Sequence, residues 1–478
     1  MDKIYDVAVV GAGVIGSFIA RELTRYDLKV VVLEKETEVA NGASKANSGI
    51  VHAGFDALEN SNKAKFNVLG NRLMPKVCKQ LGVEYKNNGS LVLCYKENDC
   101  QDLYVLKERG KKNGVKGLKI LNSKKLKNMV PNLTDDVSCA LYAKTGGIVC
   151  PYSLTIASLG NAIDNGATLV TDFNLTSVCE DNGILSLKSD YNKQVKAKLV
   201  VNASGFGSQK VANLFGDYSF ETGARKGEYI LLDKNSGKIT DYTLFTLPTK
   251  LGKGILVSPT VHGNLLLGPT AVAQDDCDTS IRKEGFAEII SNANKMVKNI
   301  PYGEVITSFA GVRAYCDKHD FIIGFSKANN KLYNVCGIES PGLTSAPAIG
   351  EHVAKEIANY FSVRKNSSFN KKRKSSVWFK KLSVKNKNSV IKKHPEYGKV
   401  VCRCENVTVG EILEALRTNP KATTIDGVKH RTRAGMGRCQ GGFCQPSVFN
   451  LVMKEYGYTA KEVTKNGKNS YIITGGEL

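Results

Sequence analysis

No stretch of about 18 consecutive apolar residues occurs in the chain, which leaves no candidate for a membrane-spanning helix. The first residues, Met1-Asp2-Lys3-Ile4-Tyr5-Asp6, carry no basic region and no small-residue cleavage site before the first apolar run. Export is therefore not expected, and the cytoplasm is the expected location. There is one tryptophan, Trp378, and no internal repeat. Acids are scarce, 45 against 67 Lys and Arg, for a formal charge of +22. That balance suits nucleic acid, anionic lipid, an acidic partner or an anionic substrate. Nine of the thirteen cysteines, from Cys78 to Cys336, lack metal-like spacing and are expected as reduced thiols. With 478 residues, 42% of them hydrophobic, the chain is too long for one core and suits two or three domains.

Residues 1–360 read as α/β. Short β-branched runs (Asp6 to Val10, Lys29 to Leu33, Ala197 to Val201, Leu332 to Cys336) end at glycines, Ser/Asn turns or charges. Amphipathic helical patterns separate several of them, as in Val14 to Arg25 with Ile15, Ile19 and Leu23 on one face. Residues 75–145 and 215–310 fit the alternation poorly and are assigned to an interleaved α+β substrate domain. Between Val363 and His394 there are twelve Lys/Arg and no acid, so 361–394 reads as a basic, solvated linker. As a docking strip it would suit an acidic partner, lipid or RNA. A small helical unit over 395–478 follows. Thr408 and Glu411 form a capping-box pattern ahead of Ile412, Leu413 and Leu416, and Ser447 can cap a helix carrying Val448, Phe449, Leu451 and Val452.

Gly11-Ala12-Gly13-Val14-Ile15-Gly16 follows a strand and opens a helix, the order in which a glycine turn lets backbone N–H groups approach a pyrophosphate at a helix N-terminus. A second strand ends at Glu34, roughly 20 residues on, where a carboxylate binds ribose hydroxyls and repels a 2′-phosphate. A second such glycine motif is absent, which disfavours a two-nucleotide reductase. The small, polar segment Ala43 to Gly54 could line a flavin.

Cys402-Arg403-Cys404 and Cys439-Gln440-Gly441-Gly442-Phe443-Cys444 place four thiols in two tight pairs. Thiolates select soft metals, zinc or iron–sulfur. The C-x-C pair and the nearby Gly435, Gly437, Gly441 and Gly442 favour a [2Fe-2S] cluster over the C-x₂₋₄-C spacing usual for zinc. Zinc and a redox disulfide between Cys439 and Cys444 remain the rivals.

Taken together, several segments resemble the D-amino-acid-oxidase-type FAD oxidoreductases, in the branch of the L-2-hydroxyglutarate oxidases and the glycerol-3-phosphate oxidases and dehydrogenases. They are Gly11 to Gly16 with Glu34, Asn47 to Gly54, Val201 to Gly205, Arg225 to Tyr229, Gly311-Val312-Arg313 and Ser340 to Thr344. The segment 400–460 is similar to the bacterioferritin-associated-ferredoxin-like [2Fe-2S] domain, and the fusion resembles anaerobic glycerol-3-phosphate dehydrogenases. The resemblance implies FAD contacts at Gly11, Gly13, Val14, Ile15, Gly16, Glu34, Lys35, Ser44, Asn47, Ser48, Gly49, Val178, Ala203, Gly205, Gly342, Leu343 and Thr344. It implies a catalytic base at His52 and a substrate clamp at Arg313, with Arg225 and Lys226 as further anion-binding candidates. Cys402, Cys404, Cys439 and Cys444 would hold the cluster. The bland alternatives are a hydrogen-bonded loop histidine and a structural salt bridge.

The expected reaction is oxidation of a small anionic hydroxy substrate, sn-glycerol 3-phosphate to dihydroxyacetone phosphate, with L-2-hydroxyglutarate as the rival substrate. A cluster implies one-electron export, so a dehydrogenase is expected rather than an oxidase. The expected acceptor is a protein or a quinone-reducing subunit, with contact at the inner face of a membrane left open. Specific nucleic acid is not expected. Other classes are a flavin and iron–sulfur electron carrier without its own substrate, and an RNA-modifying flavoprotein using the basic segment.

Overall fold

The computed structural model describes residues 3–95, 100–247, 254–374 and 376–475. The strand Ile4–Val10 runs into the glycine turn and the helix Val14–Leu23, all ten of whose residues are buried. It lies mid-sheet, with Gln194–Asn202 on one side and Val30–Leu33 then Thr168–Val170 on the other, all parallel. The second half of Gln194–Asn202 pairs in parallel with Leu332–Cys336, and its first half pairs with the hairpin Leu175–Asp181 and Ile184–Ser189. Strands buried on both faces read as near-continuous Val/Ile/Leu runs, as here. The helices Val14–Leu23, Asn62–Leu81, Pro151–Asp164 and Gly342–Tyr360 cover one face through Phe18, Phe66, Met74, Leu154, Leu159 and Val353.

A nine-stranded sheet forms a second layer. It is drawn from two chain segments: Ser90–Cys94, Leu118–Asn122 and Cys139–Ala143 join the six strands between Thr222–Leu232 and Val305–Cys316. The joint is the parallel pairing of Ser90–Cys94 with Thr243–Thr246. The sheet runs to Cys316, beyond the expected 310. The C-terminal part of Asn62–Leu81 packs instead on the nucleotide-sheet core, because Val77, Cys78 and Leu81 continue the apolar stripe of Phe66 and Met74. The helix Cys100–Lys112 lies over this sheet and carries Cys100 to Cys139, where the two are joined as a disulfide. This departs from the expected set of reduced thiols. Their Cα atoms stand 6.7 Å apart, within disulfide reach.

The basic segment is not a solvated tether. Arg373 donates its backbone N–H to Gln80 O, and its guanidinium donates to the carbonyl of Asn419. The backbone N–H groups of Val377 and Phe379 donate to the Glu414 and Glu411 carboxylates, each at 3.1 Å. Ion pairs reach the segment from both units: Arg364 with Asp27, Lys381 with Glu84 and Lys380 with Glu405. That unit packs the helices Val409–Arg417, Ile425–Thr432 and Gln445–Tyr456 around Ile412, Leu416, Val428, Val448 and Val452. The Thr408–Glu411 capping box forms as expected. Ser447 does not cap: the last helix begins at Gln445, with Pro446 in its first turn, where a missing N–H costs nothing.

Candidate functional site

The glycine turn is closed to any other residue. A Cβ on Gly16 would stand 1.9 Å from Gly11 O; one on Gly11, whose φ is +105°, would stand 2.5 Å from Ala203 O. Val14 and Ile15 are buried in the helix that follows. The Glu34 carboxylate accepts from the Ala12 N–H at 2.7 Å and the Glu36 N–H at 3.0 Å. Burial raises its affinity for a proton against the pull of those two bonds. The Ser44 hydroxyl accepts from the Val14 N–H at 2.8 Å, which sets the loop after Glu34 on the helix N-terminus. Asn47 folds that loop: its amide donates to Ala43 O and Ser44 O, and its oxygen accepts from the Gly49 N–H. Ser48 is half-buried and Gly49 buried beside it, while Lys35 is exposed against Glu36. A glycine turn at a helix N-terminus, a buried carboxylate and a small polar loop thus meet at the carboxyl ends of the strands, which fits FAD.

Val178 is not at this cradle. The residues set against Glu34 are Val170 and Phe173, through backbone bonds, and Val178 lies in the following hairpin opposite Leu187. Gly205 is exposed at the end of the turn after Ala203.

His52 is held from both sides. Its backbone N–H donates to Thr344 Oγ1 at 2.9 Å, and its carbonyl accepts from the Asn67 and Asn71 amides at 2.7 and 3.1 Å. Its Nε2 lies 3.4 Å from Ser340 Oγ, and its ring is 5.8 Å from that of Phe245. Gly342 and Leu343 open the helix Gly342–Tyr360 behind it. Arg313 stands opposite Arg225 on neighbouring strands, so the two guanidinium groups share a face. Arg313 Nη2 donates to Thr270 O at 2.6 Å, and its Nε is buried without a partner. Arg225 lies over the Tyr315 ring and 3.5 Å from Glu339. Lys226 does not join them. Alternation along the strand turns it to the other face, where its ammonium is buried and paired with Asp278 at 2.7 Å.

In the C-terminal unit, Cys404 Sγ and Cys439 Sγ lie 3.8 Å apart, and Cys402 and Cys444 form a second close pair. Among the described residues no three His, Cys, Asp or Glu side chains converge on one ion position. A tetrahedral zinc needs four ligands around one point, whereas two thiol pairs suit a cluster of two irons. The Phe443 N–H, with those of Gly441 and Gly442, holds the Cys439 thiol below its ordinary value against burial; burial pushes Cys444 up to about 12. A Cβ on Gly437 would stand 2.3 Å from the Cys404 Cβ, so only glycine lets the two cysteine loops meet. Phe443, between the last two ligands, is 89% exposed.

The two units meet through charge. Glu38 accepts from the Thr423 and Thr424 N–H groups at 2.8 and 3.2 Å and from Arg431 at 3.0 Å. Buried Glu405 receives Arg433, Lys234 and Lys380 at 3.0, 2.7 and 3.3 Å. Burial pushes its carboxyl up, but Arg433 and Lys234 outweigh that and hold it at about 2. Tyr152 donates to Met436 Sδ at 3.3 Å and accepts from Arg433. Tyr152 follows the strand Gly147–Val149, whose Val149 N–H bonds Gly49 O, so a short run of residues links the cofactor loop to the cysteine loop. Asn67, Asn71, Tyr152 and Arg433 carry no sequence motif of their own; only their contacts with His52 or across the seam between the two units mark them.

Fold and site together define a flavin oxidoreductase joined to an iron–sulfur domain. Residues 6–356 match the FAD dependent oxidoreductase family and residues 400–454 the BFD-like [2Fe-2S] binding domain. The chain belongs to the FAD dependent oxidoreductase family, and its cofactors are FAD and a [2Fe-2S] cluster. It is similar to the glycerol 3-phosphate dehydrogenase of Caloramator mitchellensis, 44% identical over 98% of both chains. The FAD-bound L-alpha-glycerophosphate oxidase of Mycoplasma pneumoniae superposes with a TM-score of 0.73 at 29% identity, covering 78% of this chain and 98% of that one. The mitochondrial L-2-hydroxyglutarate dehydrogenase of Pongo abelii is 26% identical over 75% of this chain and 88% of its own. Among the described residues no helix is long and apolar enough to cross a membrane.

Proposed function

We propose that the chain oxidises sn-glycerol 3-phosphate to dihydroxyacetone phosphate and exports the electrons through its own cluster. The observation that carries this reading is end-to-end similarity to the Caloramator mitchellensis protein, cluster domain included. Bound FAD supplies the hydride acceptor; the chain supplies a base and orientation. His52 takes the hydroxyl proton, its ring oriented by Ser340 and its backbone fixed by Thr344, Asn67 and Asn71. Arg313 and Arg225, on one face, grip the substrate anion, a task suited to planar guanidinium groups. Residues 1–360, 361–394 and 395–478 act as catalytic, joining and electron-exit parts. The acceptor is a redox protein or a quinone-reducing subunit at the inner face of the cytoplasmic membrane.

The test is anaerobic flavin bleaching by each candidate substrate, followed by dye reduction. Bleaching by glycerol 3-phosphate is expected. Bleaching by L-2-hydroxyglutarate alone would overturn the substrate assignment, and no bleaching by any small hydroxy anion would favour an electron carrier.

A further inference from the structure

The seam between the flavin and cluster units encloses a cavity with room of about 80 Å³ for water-sized molecules. Three parts of the chain wall it: Cys150 and Ser153 at the head of the helix Pro151–Asp164, Arg373 and Trp378 of the basic segment, and His430 and Thr432 of the cluster unit. His262, from the loop after Leu256–Pro259, reaches into the same space. The cofactors and the anion clamp make no use of this group.

Cys150 is the N-cap of a 14-residue helix, and its sulfur accepts from Ser153 Oγ at 3.0 Å. The His262 side chain is 6% exposed; its Nδ1 lies 3.2 Å from Glu84 Oε2, and its Nε2 is buried without a hydrogen-bond partner. The Trp378 ring covers the imidazole at 5.7 Å, and Glu84 is held in turn by Lys381. A thiol, an imidazole and a carboxylate thus line one cavity, the thiol at the positive end of a helix.

We propose that Cys150 is a redox-reactive thiol, a modification site at which a small hydroperoxide oxidises the sulfur, with His262 as proton partner and Glu84 holding the imidazole. The cavity has room for a molecule the size of hydrogen peroxide. In the step, the thiolate sulfur attacks one peroxide oxygen; an S–O bond forms and the O–O bond breaks. Sulfur loses two electrons to become a sulfenic acid, the peroxide gains them, and the departing oxygen takes its proton from the His262 imidazole to leave as water. Among the residues lining the cavity Cys150 is the single cysteine, so the product is a sulfenic acid rather than an intramolecular disulfide.

The electrostatics agree with this geometry. Burial pushes the Cys150 thiol up, but His262 and Ser153 outweigh it and leave the thiol below its ordinary value. Burial, Arg433 and Lys380 press His262 toward the neutral form while Cys150 acts the other way. Tyr152 is kept a neutral phenol by its own burial, and His430 is held neutral, down to about 3, by burial and nearby lysines. Arg373, Arg431, Lys374, Glu411 and Glu414 are the other charged groups facing the cavity. The buried thiols elsewhere differ: burial alone drives Cys78 up to about 12, and burial likewise drives Cys336 up.

The holoprotein is treated with hydrogen peroxide for timed intervals, quenched, denatured and alkylated with iodoacetamide. Peptide mass spectrometry then follows the loss of free thiol at each cysteine. Cys150 should be lost roughly tenfold or more faster than Cys78 and Cys336, because its thiol is held below the ordinary value while burial drives theirs above it. Its rate should reach half-maximum well below the ordinary thiol pKa of about 8.5, and His262→Asn should slow it towards the Cys78 rate while Glu84→Gln has a smaller effect. Loss of Cys150 no faster than Cys78, or a rate that rises only above about pH 8.5, would overturn the proposal. The pH profile uses the wild-type protein and so decides the matter even where His262→Asn fails to fold.

Discussion

Glu38 gives the sharpest test of how the cluster unit is held. Its side chain is 5% exposed, its partner Arg431 is 8% exposed, and they meet at 3.0 Å. The same carboxylate accepts from the Thr423 and Thr424 N–H groups, so Glu38→Ala leaves a buried guanidinium without its counter-charge and two backbone amides, one of them buried, without their acceptor. Removing one partner of a buried pair costs about 3–5 kcal/mol, and each orphaned amide adds about 1–3 kcal/mol where water cannot reach it. Even the low end, about 3 kcal/mol, moves the docking equilibrium more than a hundredfold. Glu38→Gln keeps an acceptor oxygen for the two amides and loses only the charge, so its effect should be smaller. Limited trypsin digestion reads the outcome: Arg373, buried against Asn419 in the docked protein, becomes a cleavage site when the cluster unit lifts away. Calorimetry should then show two separated transitions where the wild type shows one. If Glu38→Ala digests and melts like the wild type, the charge-based account of docking is wrong.

Three further expectations follow from the same geometry. Cys404→Ser or Cys439→Ser should abolish the electron paramagnetic resonance signal of the reduced cluster while substrate still bleaches the flavin in one turnover; stoichiometric zinc in the wild type would contradict the cluster. His52→Ala should slow flavin reduction at saturating substrate by about 10²–10⁴, whereas Arg313→Ala should weaken substrate binding by about 2–4 kcal/mol, and stopped-flow titration separates the two. Glu405 titrates at about 2 when folded and near its ordinary value of 4.5 when unfolded, so its stabilising contribution is complete above the unfolded value and lost as pH falls through that window; the docked unit should loosen between those limits, with Glu405→Gln flattening the pH dependence seen by calorimetry.

Where the chemistry sits in contiguous residues, the sequence was enough to read it. Gly11 to Gly16, Glu34 and the four cluster cysteines each announce themselves because the backbone geometry they serve is local. His52 and Arg313 were singled out through resemblance, and their roles as base and clamp belong to the proposed function. The pair's surroundings were not, since Ser340 and Thr344 come from 288 and 292 residues away. Lys226 was misread because a charge beside Arg225 was counted without its strand face. The basic segment was misread because its partners, Asp27, Glu84, Glu405, Glu411 and Glu414, lie in distant parts of the chain. Ser447 competed with Pro446 for the first turn and lost. The pairing of Cys100 with Cys139 and the meeting of Cys150 with His262 depend on tertiary folding that no spacing encodes.

The interleaving of the second sheet bears on the order in which the protein can assemble as it is made. Ser90–Cys94 has no parallel partner until Thr243–Thr246 has left the ribosome, and Gln194–Asn202 waits for Leu332–Cys336. At roughly 5–20 residues per second, those gaps amount to about 10–30 seconds during which apolar strand edges stand open. Distant pairings of this kind slow folding and favour chaperone capture. The cluster unit has the opposite character: its three helices and four thiols lie in one short contiguous stretch that closes on itself. It can therefore finish its fold late and quickly, onto a flavin body whose receiving carboxylate, Glu38, is translated 385 residues ahead of Thr423.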